Sequence, residues 1–391
     1  MSQASLIDDQ LSWHNVAAKL ESEPLLALDT ESNSLHAYRE RVCLIQIATG
    51  EDTFLLDPLA VTDLSALGRL LSNPSITKVA HGSDYDVRCL HRDYGFTVKS
   101  LFDTEMAARF VGSSRTNLAS VLEGFLGVKI PKIRSLQTSD WGRRPLSRPA
   151  MDYASNDVKF LPKLAGELQR RLSTAGRLDW VMEECLRLEQ VRQGPPDPAE
   201  VMMLRIKGSS RLGPRSLGVL KQLFVFREEE ARRMDCPAFR VLTNEALLIL
   251  ADSPDLELHK VSGLPTGTAR RAGEDIREAI RRGRNGPEVR RPPQPKNKPW
   301  EPETQARVKL LKLWRFRQGA TSGLDPALVW PAASLERLAH FWNGSASESP
   351  DDGAHEVRNW QRREFSQALR QALNHAFGAE NSGPPNSTAR S

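Results

Sequence analysis

The run Leu25-Leu26-Ala27-Leu28 passes straight into Asp29-Thr30-Glu31, and that junction limits the possible folds more than any other stretch of the chain. A short apolar run bounded by polar residues reads as a buried strand. Strand side chains alternate between faces, so Asp29 and Glu31 point the same way. Two carboxylates crowded on one spot raise each other's pKa, and their burial is costly unless a cation or a basic partner neutralises them. The junction therefore predicts a strand in the core of a sheet that ends at a metal site, or at half of one.

Its surroundings predict the rest of that sheet. Residues 42–48 and 53–57 read as strands close enough to pair through short connections, followed by a helix at 63–71 and a further strand at 76–80. From residue 84 helix signals dominate, at 84–94, 103–111, 117–126 and in one long helix at about 149–172, with Pro149 suited to its first turn. The expected class is α/β, a mixed sheet with flanking helices.

At 391 residues the chain has room for two or three domains. Gly194-Pro195-Pro196-Asp197-Pro198 marks a break, and residues 286–303, with six prolines and scattered Lys and Arg, read as a semi-rigid linker. Beyond the break the chain reads as helical and resembles itself. Phe226-Arg227 recurs as Phe316-Arg317, Pro237-Ala238 as Pro326-Ala327, and Leu250-Ala251 as Leu338-Ala339, at offsets of 90, 89 and 88. Such spacing predicts a duplicated helical module. The tail after Phe377 has little to bury and is expected to be disordered.

Charge is divided unevenly: residues 1–170 carry 19 basic against 21 acidic groups, and residues 171–391 carry 35 against 28. Residues 201–221 hold five basic residues and no acid, and 281–298 hold seven with only Glu288 opposing them. A polyanionic partner for the C-terminal half fits this excess, as do solvated helix faces and a charged linker. The N-terminus is polar and acidic, and no apolar stretch reaches membrane-spanning length, so a soluble cytoplasmic protein is expected. Cys43, Cys89, Cys185 and Cys236 form no CxxC pair, which argues against both a zinc site and a disulfide framework.

Further acids that could join Asp29 and Glu31 lie at two places. One is Val79-Ala80-His81-Gly82-Ser83-Asp84-Tyr85-Asp86-Val87, where a strand runs into a helix; Asp84 and Asp86 compete there, and Asp84 is also a candidate N-cap. The other is Tyr153-Ala154-Ser155-Asn156-Asp157, whose i and i+4 positions put a phenol and a carboxylate on one helix face. Asp103 is better explained as an N-cap. Oxygen ligands of this kind suit Mg²⁺ or Mn²⁺. Two such ions about 3.5–4 Å apart can clamp both oxygens of a phosphodiester displacement. Tyr153 could orient the water, its pKa lowered from about 10 by neighbouring cations.

Taken together, Asp29-Thr30-Glu31, His81-Gly82-Ser83-Asp84-Tyr85-Asp86 and Tyr153-x-x-x-Asp157 resemble the three exonuclease motifs of the DEDD superfamily, in its tyrosine-containing branch. Cys43-Leu44-Ile45-Gln46-Ile47-Ala48, Leu101-Phe102-Asp103-Thr104 and Ser139-Asp140-Trp141-Gly142-Arg143-Arg144-Pro145-Leu146-Ser147 are similar to segments of ribonuclease D and its exosome-associated relatives. The resemblance implies a ribonuclease H-like fold. It also implies metal-dependent 3′ to 5′ hydrolysis of RNA with release of nucleoside 5′-monophosphates, and tRNA precursors as the expected substrate. By position, Asp29 would bridge two divalent cations, Mg²⁺ or Mn²⁺. Glu31 and Asp157 would bind the ion that carries the attacking water, Asp86 the second ion, and Tyr153 would orient and activate the water. His81, and Trp141 with Arg143, are weaker candidates for substrate contacts.

The C-terminal segments are similar to HRDC domains, the helical modules of ribonuclease D and RecQ-type helicases, and ribonuclease D carries two. The expected layout is an exonuclease domain at 1–175, an HRDC-like domain at 199–285, and a Pro-rich basic linker at 286–302. A divergent second HRDC-like domain at 303–376, with a polar insertion at 345–352, precedes a tail at 377–391. The oligomeric expectation is a monomer. A DNA exonuclease would use the same acids, so sugar choice rests on the resemblance. A catalytically dead nucleic-acid-binding scaffold is disfavoured because all four acids and the tyrosine are present.

Overall fold

Six strands form one mixed sheet in the computed structural model, which describes residues 4–131, 133–195, 197–293, 300–341 and 356–378. They are β1 (Ser5–Ile7), β2 (Leu25–Ser32), β3 (Val42–Ala48), β4 (Thr53–Leu56), β5 (Thr77–Ala80) and β6 (Leu101–Asp103), in the spatial order β1-β4-β3-β2-β5-β6. β2, β3 and β4 form an antiparallel meander; β1 joins β4, and β5 and β6 extend the β2 side, all in parallel. Every residue of β3 is buried, which suits its near-continuous apolar sequence to the centre of the sheet.

Nine helices accompany the sheet among the described residues up to 195: α1 (Gln10–Leu20), α2 (Ser65–Ser72), α3 (Asp84–Tyr94), α4 (Thr104–Phe110), α5 (Leu118–Leu126), α6 (Arg134–Gln137), α7 (Arg148–Val158), α8 (Leu161–Thr174) and α9 (Leu178–Leu188). α2 and α3 serve as the crossovers that parallel pairing requires. The single helix expected over 149–172 is two helices. Pro162, in the first turn of α8, has no N–H to offer the Val158 carbonyl, so the ladder breaks there. α9 closes the β6 edge: Leu101 N donates to Glu189 Oε1 (3.0 Å) and Asp103 N to Cys185 Sγ (3.3 Å). Covering these outward N–H groups prevents edge pairing, and Trp180, Val181 and Cys185 of α9 share the core of the sheet unit.

Beyond the proline-rich break come α10 (Ala199–Leu204), α11 (Pro214–Arg233), α12 (Ala238–Val241), α13 (Asn244–Asp252) and α14 (Thr266–Asn285), then α15 (Pro302–Ser322), α16 (Pro326–Val329), α17 (Ala332–Phe341) and α18 (Asn359–Gly378). The sets α11–α14 and α15–α18 match in order and length. Their first three helices start 88 residues apart, at 214 and 302, 238 and 326, 244 and 332. The polar insertion at 345–352 and the tail from 379 lie outside the described residues.

The two sets are docked differently. α11–α14 enclose their own core, including Leu223, Leu247 and Ile276. They touch the sheet unit through the loop after β2, where Tyr38 N donates to Asp235 Oδ1 (3.2 Å) and the Arg232 guanidinium lies over the Tyr38 ring (5.4 Å). The core of α15–α18 is continuous with that of the sheet unit. Trp360 stacks on Trp180 at 4.8 Å with Phe110 edge-on at 5.1 Å, and Arg358 grips the Glu184 carboxylate at 2.9 and 3.0 Å. Glu183 accepts from the N–H groups of Asn359 and Trp360 at the start of α18 (2.7 and 3.1 Å), a helix cap supplied by another helix.

Much of the basic excess is internally paired. Arg281 and Arg282 meet Glu278, Arg284 meets Asp255, and Arg291 donates to Ser209 Oγ. Charged helix faces account for these positions. All four cysteines are free, and among the described residues no helix is long and apolar enough to cross a membrane.

Candidate active site

β5 accompanies β2 only from Leu25 to Ala27, so the last residues of β2 project beyond their parallel neighbour. The start of α3 fills that gap. Asp86 accepts from the Oγ1 of Thr30 at 2.5 Å, and the Thr30 backbone N–H, beyond the reach of β5, favours its charged form. On the sheet face, α7 crosses β2, β3 and β4. Its Ala150 and Ala154 pack on Leu44 and Leu55 in a small core of their own, and these short side chains bring the helix close. Tyr153 and Asp157, one turn apart on α7, are thereby lowered onto the end of β2.

Carboxylate oxygens of Asp29, Glu31 and Asp157 all lie within 4.8 Å of one another, each residue half-buried. Burial is the main reason Asp29 is held well above the usual carboxylate range, with Asp86, Asp157 and Glu31 adding repulsion. Burial, then Asp157 and Asp86, push Glu31 up to about 9. Asp157 is raised to about 7 by burial, against the Tyr153 hydroxyl, which favours its charged form. Asp86 stands outside the compact triple; burial raises it to about 6 although Thr30 opposes the rise. Acids this close cannot all ionise at neutral pH unaided, and an all-oxygen donor set fits a hard divalent cation.

Tyr153 was expected to be acidified by bound cations, and the protein groups by themselves push it the other way. Its hydroxyl is raised above the ordinary tyrosine value by burial and by Asp157, while Gln137, facing the same oxygen, works against the rise. The protein groups alone thus favour a neutral phenol, and any lowering has to come from cations. A neutral phenol that donates to Asp157 keeps lone pairs with which to hold a water.

The strand-to-helix turn carrying Asp86 is built by Asp103. This carboxylate caps α4, accepting from Glu105 N (2.9 Å) and Met106 N (3.0 Å), and also takes Gly82 N (3.2 Å), Ser83 N and Ser83 Oγ (both 2.7 Å). Gly82 sits at φ +73°, where a Cβ would also meet Glu105 Oε2 at 2.7 Å. The α3 N-cap position belongs to Ser83; Asp84 is the first helical residue, and its carboxylate faces Arg88 at 2.8 and 3.0 Å, away from the acid cluster.

The weaker candidates divide. Both His81 ring nitrogens are engaged, Nδ1 with Thr104 Oγ1 (2.9 Å) and Nε2 with the Thr116 carbonyl (2.8 Å), so His81 braces the turn. Trp141 is buried in the small core, its ring 6.2 Å from that of Tyr153. Arg143 lines an open cleft of about 730 Å³ that also borders Trp141, His36 and Arg240. Two residues without an expected role matter here. Arg144 ties the 139–147 segment to the sheet through Asp57 (2.5 and 2.8 Å) and the Cys43 carbonyl (2.6 Å). Gln46, directly across the β2–β3 ladder from Asp29, is fully buried, and its amide has no partner among the described residues. A lone polar residue in the run 42–48 was the signal for Gln46.

Comparison with known proteins agrees with this geometry. A family model described as 3′-5′ exonuclease matches residues 5–173, and the HRDC domain model matches residues 216–280. The chain is 34% identical over 331 residues to ribonuclease D of Gluconacetobacter diazotrophicus, covering 83% of each chain. It is 30% identical over 375 residues to ribonuclease D of Pseudomonas paraeruginosa, covering 95% of this chain and 97% of that one. Among solved structures, Escherichia coli RNase D, described as an exoribonuclease involved in structured RNA processing, aligns with a TM-score of 0.69 and 25% identity over 96% of this chain and 99% of that one.

Proposed function

The chain belongs to the ribonuclease D family, and from that premise we infer how its residues divide the work of a two-cation exonuclease. It is a 3′ to 5′ exoribonuclease with a ribonuclease H-like catalytic unit and an HRDC domain in its C-terminal half. The observation that carries the mechanism is the meeting of Asp29, Glu31 and Asp157 oxygens within 4.8 Å beneath Tyr153.

In our reading, Asp29, Glu31 and Asp157, with Asp86 anchored by Thr30, would hold two divalent cations, Mg²⁺ or Mn²⁺, Glu31 and Asp157 at one position and Asp86 at the other. When bound, the cations neutralise the phosphodiester and acidify water. Tyr153 holds the attacking water by its hydroxyl oxygen while donating to Asp157, so the phenol acts by orientation. Arg143, exposed on the cleft beside Trp141, suits a phosphate upstream of the scissile bond; Trp141 and His81 support the site from beneath. The products would be nucleoside 5′-monophosphates, and we take tRNA precursors or other structured RNA as the substrate and the cytoplasm as the location. We divide the chain into a catalytic unit at 1–175 completed by α9, an HRDC-like domain at 199–285, a linker at 286–302 and a second HRDC-like domain at 303–376. The second domain's shared core with the catalytic unit supports a scaffolding role for it. A monomer is the oligomeric state we favour.

The test compares wild type with Asp29→Asn on a 3′-labelled RNA and its DNA counterpart, with Mg²⁺, Mn²⁺ or EDTA. Release of labelled 5′-monophosphate from RNA by wild type alone, abolished by EDTA, is expected. Cleavage in EDTA, or full activity of Asp29→Asn, would overturn the mechanism; a preference for DNA would overturn the substrate.

A further inference from the structure

A chain of hydrogen bonds runs from the first helical module to the segment beside Tyr153. Arg240 of α12 donates Nη2 to the Leu35 carbonyl (3.1 Å) and to His36 Nδ1 (3.3 Å), and His36 Nε2 meets the Thr138 carbonyl at 2.9 Å. The partners fix the state of the ring. A guanidinium can only donate and a carbonyl can only accept, so Nδ1 is bare and Nε2 carries the proton. His36 is a neutral connector, accepting from one domain and donating into the other.

What it holds has little to hold itself. α6 is a single turn, buries none of its residues and has no side-chain N-cap bond. Thr138 follows it directly; Leu136 packs, partly buried, on the same small core as Tyr153, and Gln137, the last residue of α6, lies beside it and near the Tyr153 hydroxyl. A segment with this one packed side chain depends on such tethers for its geometry, and a misplacement of about 1 Å at a catalytic group can cost up to about a hundredfold in rate. We propose that His36 is a positioning residue that pins α6 through the Thr138 carbonyl, keeps Gln137 against Tyr153, and so ties the orientation of the phenol to the seating of the first helical module on the catalytic unit. The proposal rests on the reading of Tyr153 given above. It gives the 199–285 module a role in the catalytic unit's geometry that needs no contact with RNA.

His36 also borders the open cleft with Arg143 and Arg240, so the test must separate positioning from contact with RNA. kcat, KM and melting temperature are measured for the full-length protein on a labelled RNA trinucleotide with Mn²⁺. The variants are His36→Ala, His36→Gln, Gln137→Ala, His36→Ala with Gln137→Ala, and Tyr153→Phe. His36→Ala should lower kcat by about tenfold with KM within about twofold. His36→Gln, whose amide also donates and accepts, should recover most of the loss. In the Gln137→Ala background, His36→Ala should cost nothing further, because the two act through one path. A raised KM at unchanged kcat, additive losses, or a glutamine variant as slow as the alanine variant would overturn the proposal. If His36→Ala lowers the melting temperature, the comparison of His36→Gln with wild type decides. Should Tyr153→Phe turn over at the wild-type rate, the reading of the tyrosine falls and the proposal with it. A slow Tyr153→Phe beside a fully active His36→Ala would overturn the proposal alone.

Discussion

Glu31 is pushed up to about 9, Asp157 to about 7 and Asp86 to about 6, in each case by burial before anything else. An acid that binds its proton more tightly when folded makes ionisation unfavourable to the folded state. Below pH about 4, where unfolded carboxylates also hold their protons, these groups cost nothing. The penalty grows as pH rises from there through the three raised values. Cations bind the ionised forms, so they should stabilise more as pH rises. We predict that the rise in melting temperature on adding Mn²⁺ is larger at pH 9 than at pH 6, and that Glu31→Gln flattens this dependence. A pH-independent shift would mean the cluster does not take the cation. Asp29, Glu31, Tyr153 and Asp157 were legible because strand and helix periodicities place them on common faces. Thr30 and Gln137 were not, because each acquires its partner from another element.

At the scale of elements, the site depends on how β5, α3, β6 and α4 meet. Asp103 joins them, taking three donors from the 82–83 turn and two from α4. Removing the carboxylate leaves buried donors unsatisfied, so Asp103→Ala should cost about 3 kcal/mol or more in chemical denaturation. It should also lower kcat, because Asp86 rides on the released turn. Wild-type stability in that variant would show that the turn holds itself. The expected elements match the observed ones where apolar periodicity is strong. β1 and β6, three residues each, are too short to show a period, and the break between α7 and α8 turned on the one donor that Pro162 lacks.

Across the whole molecule, the repeated helical sets have diverged in what covers them. One closes on itself; the other is completed by Phe110, Trp180 and their neighbours in the catalytic unit. Trp360 is fully buried at that junction. Truncating it should cost about 3–5 kcal/mol, felt on both sides of the shared core. Hydrogen exchange of Trp360→Ala should lose protection in α4, α9 and α15–α18 together while α11–α14 stay protected. Loss confined to α15–α18 would mean that the second set folds apart from the catalytic unit. For the same reason, cutting the chain at Gly194 uncovers the α9 face of the catalytic unit.

Local pattern determined the four longer strands of the sheet, the helical C-terminal half with its internal repeat, and the candidate acids with the tyrosine, while the family resemblance chose Asp86 over Asp84. Those properties follow from spacing along the chain, because side-chain direction in a strand or helix is set by position. Tertiary structure decided the rest: that Asp86 is anchored by Thr30, that burial and Asp157 push the Tyr153 phenol up, that His36 links two domains, and that, among the described residues, one helical set encloses its own core while the other shares that of the catalytic unit. Each of these depends on which surfaces come to face one another, and burial and hydrogen-bond partnership belong to pairs of elements far apart in sequence.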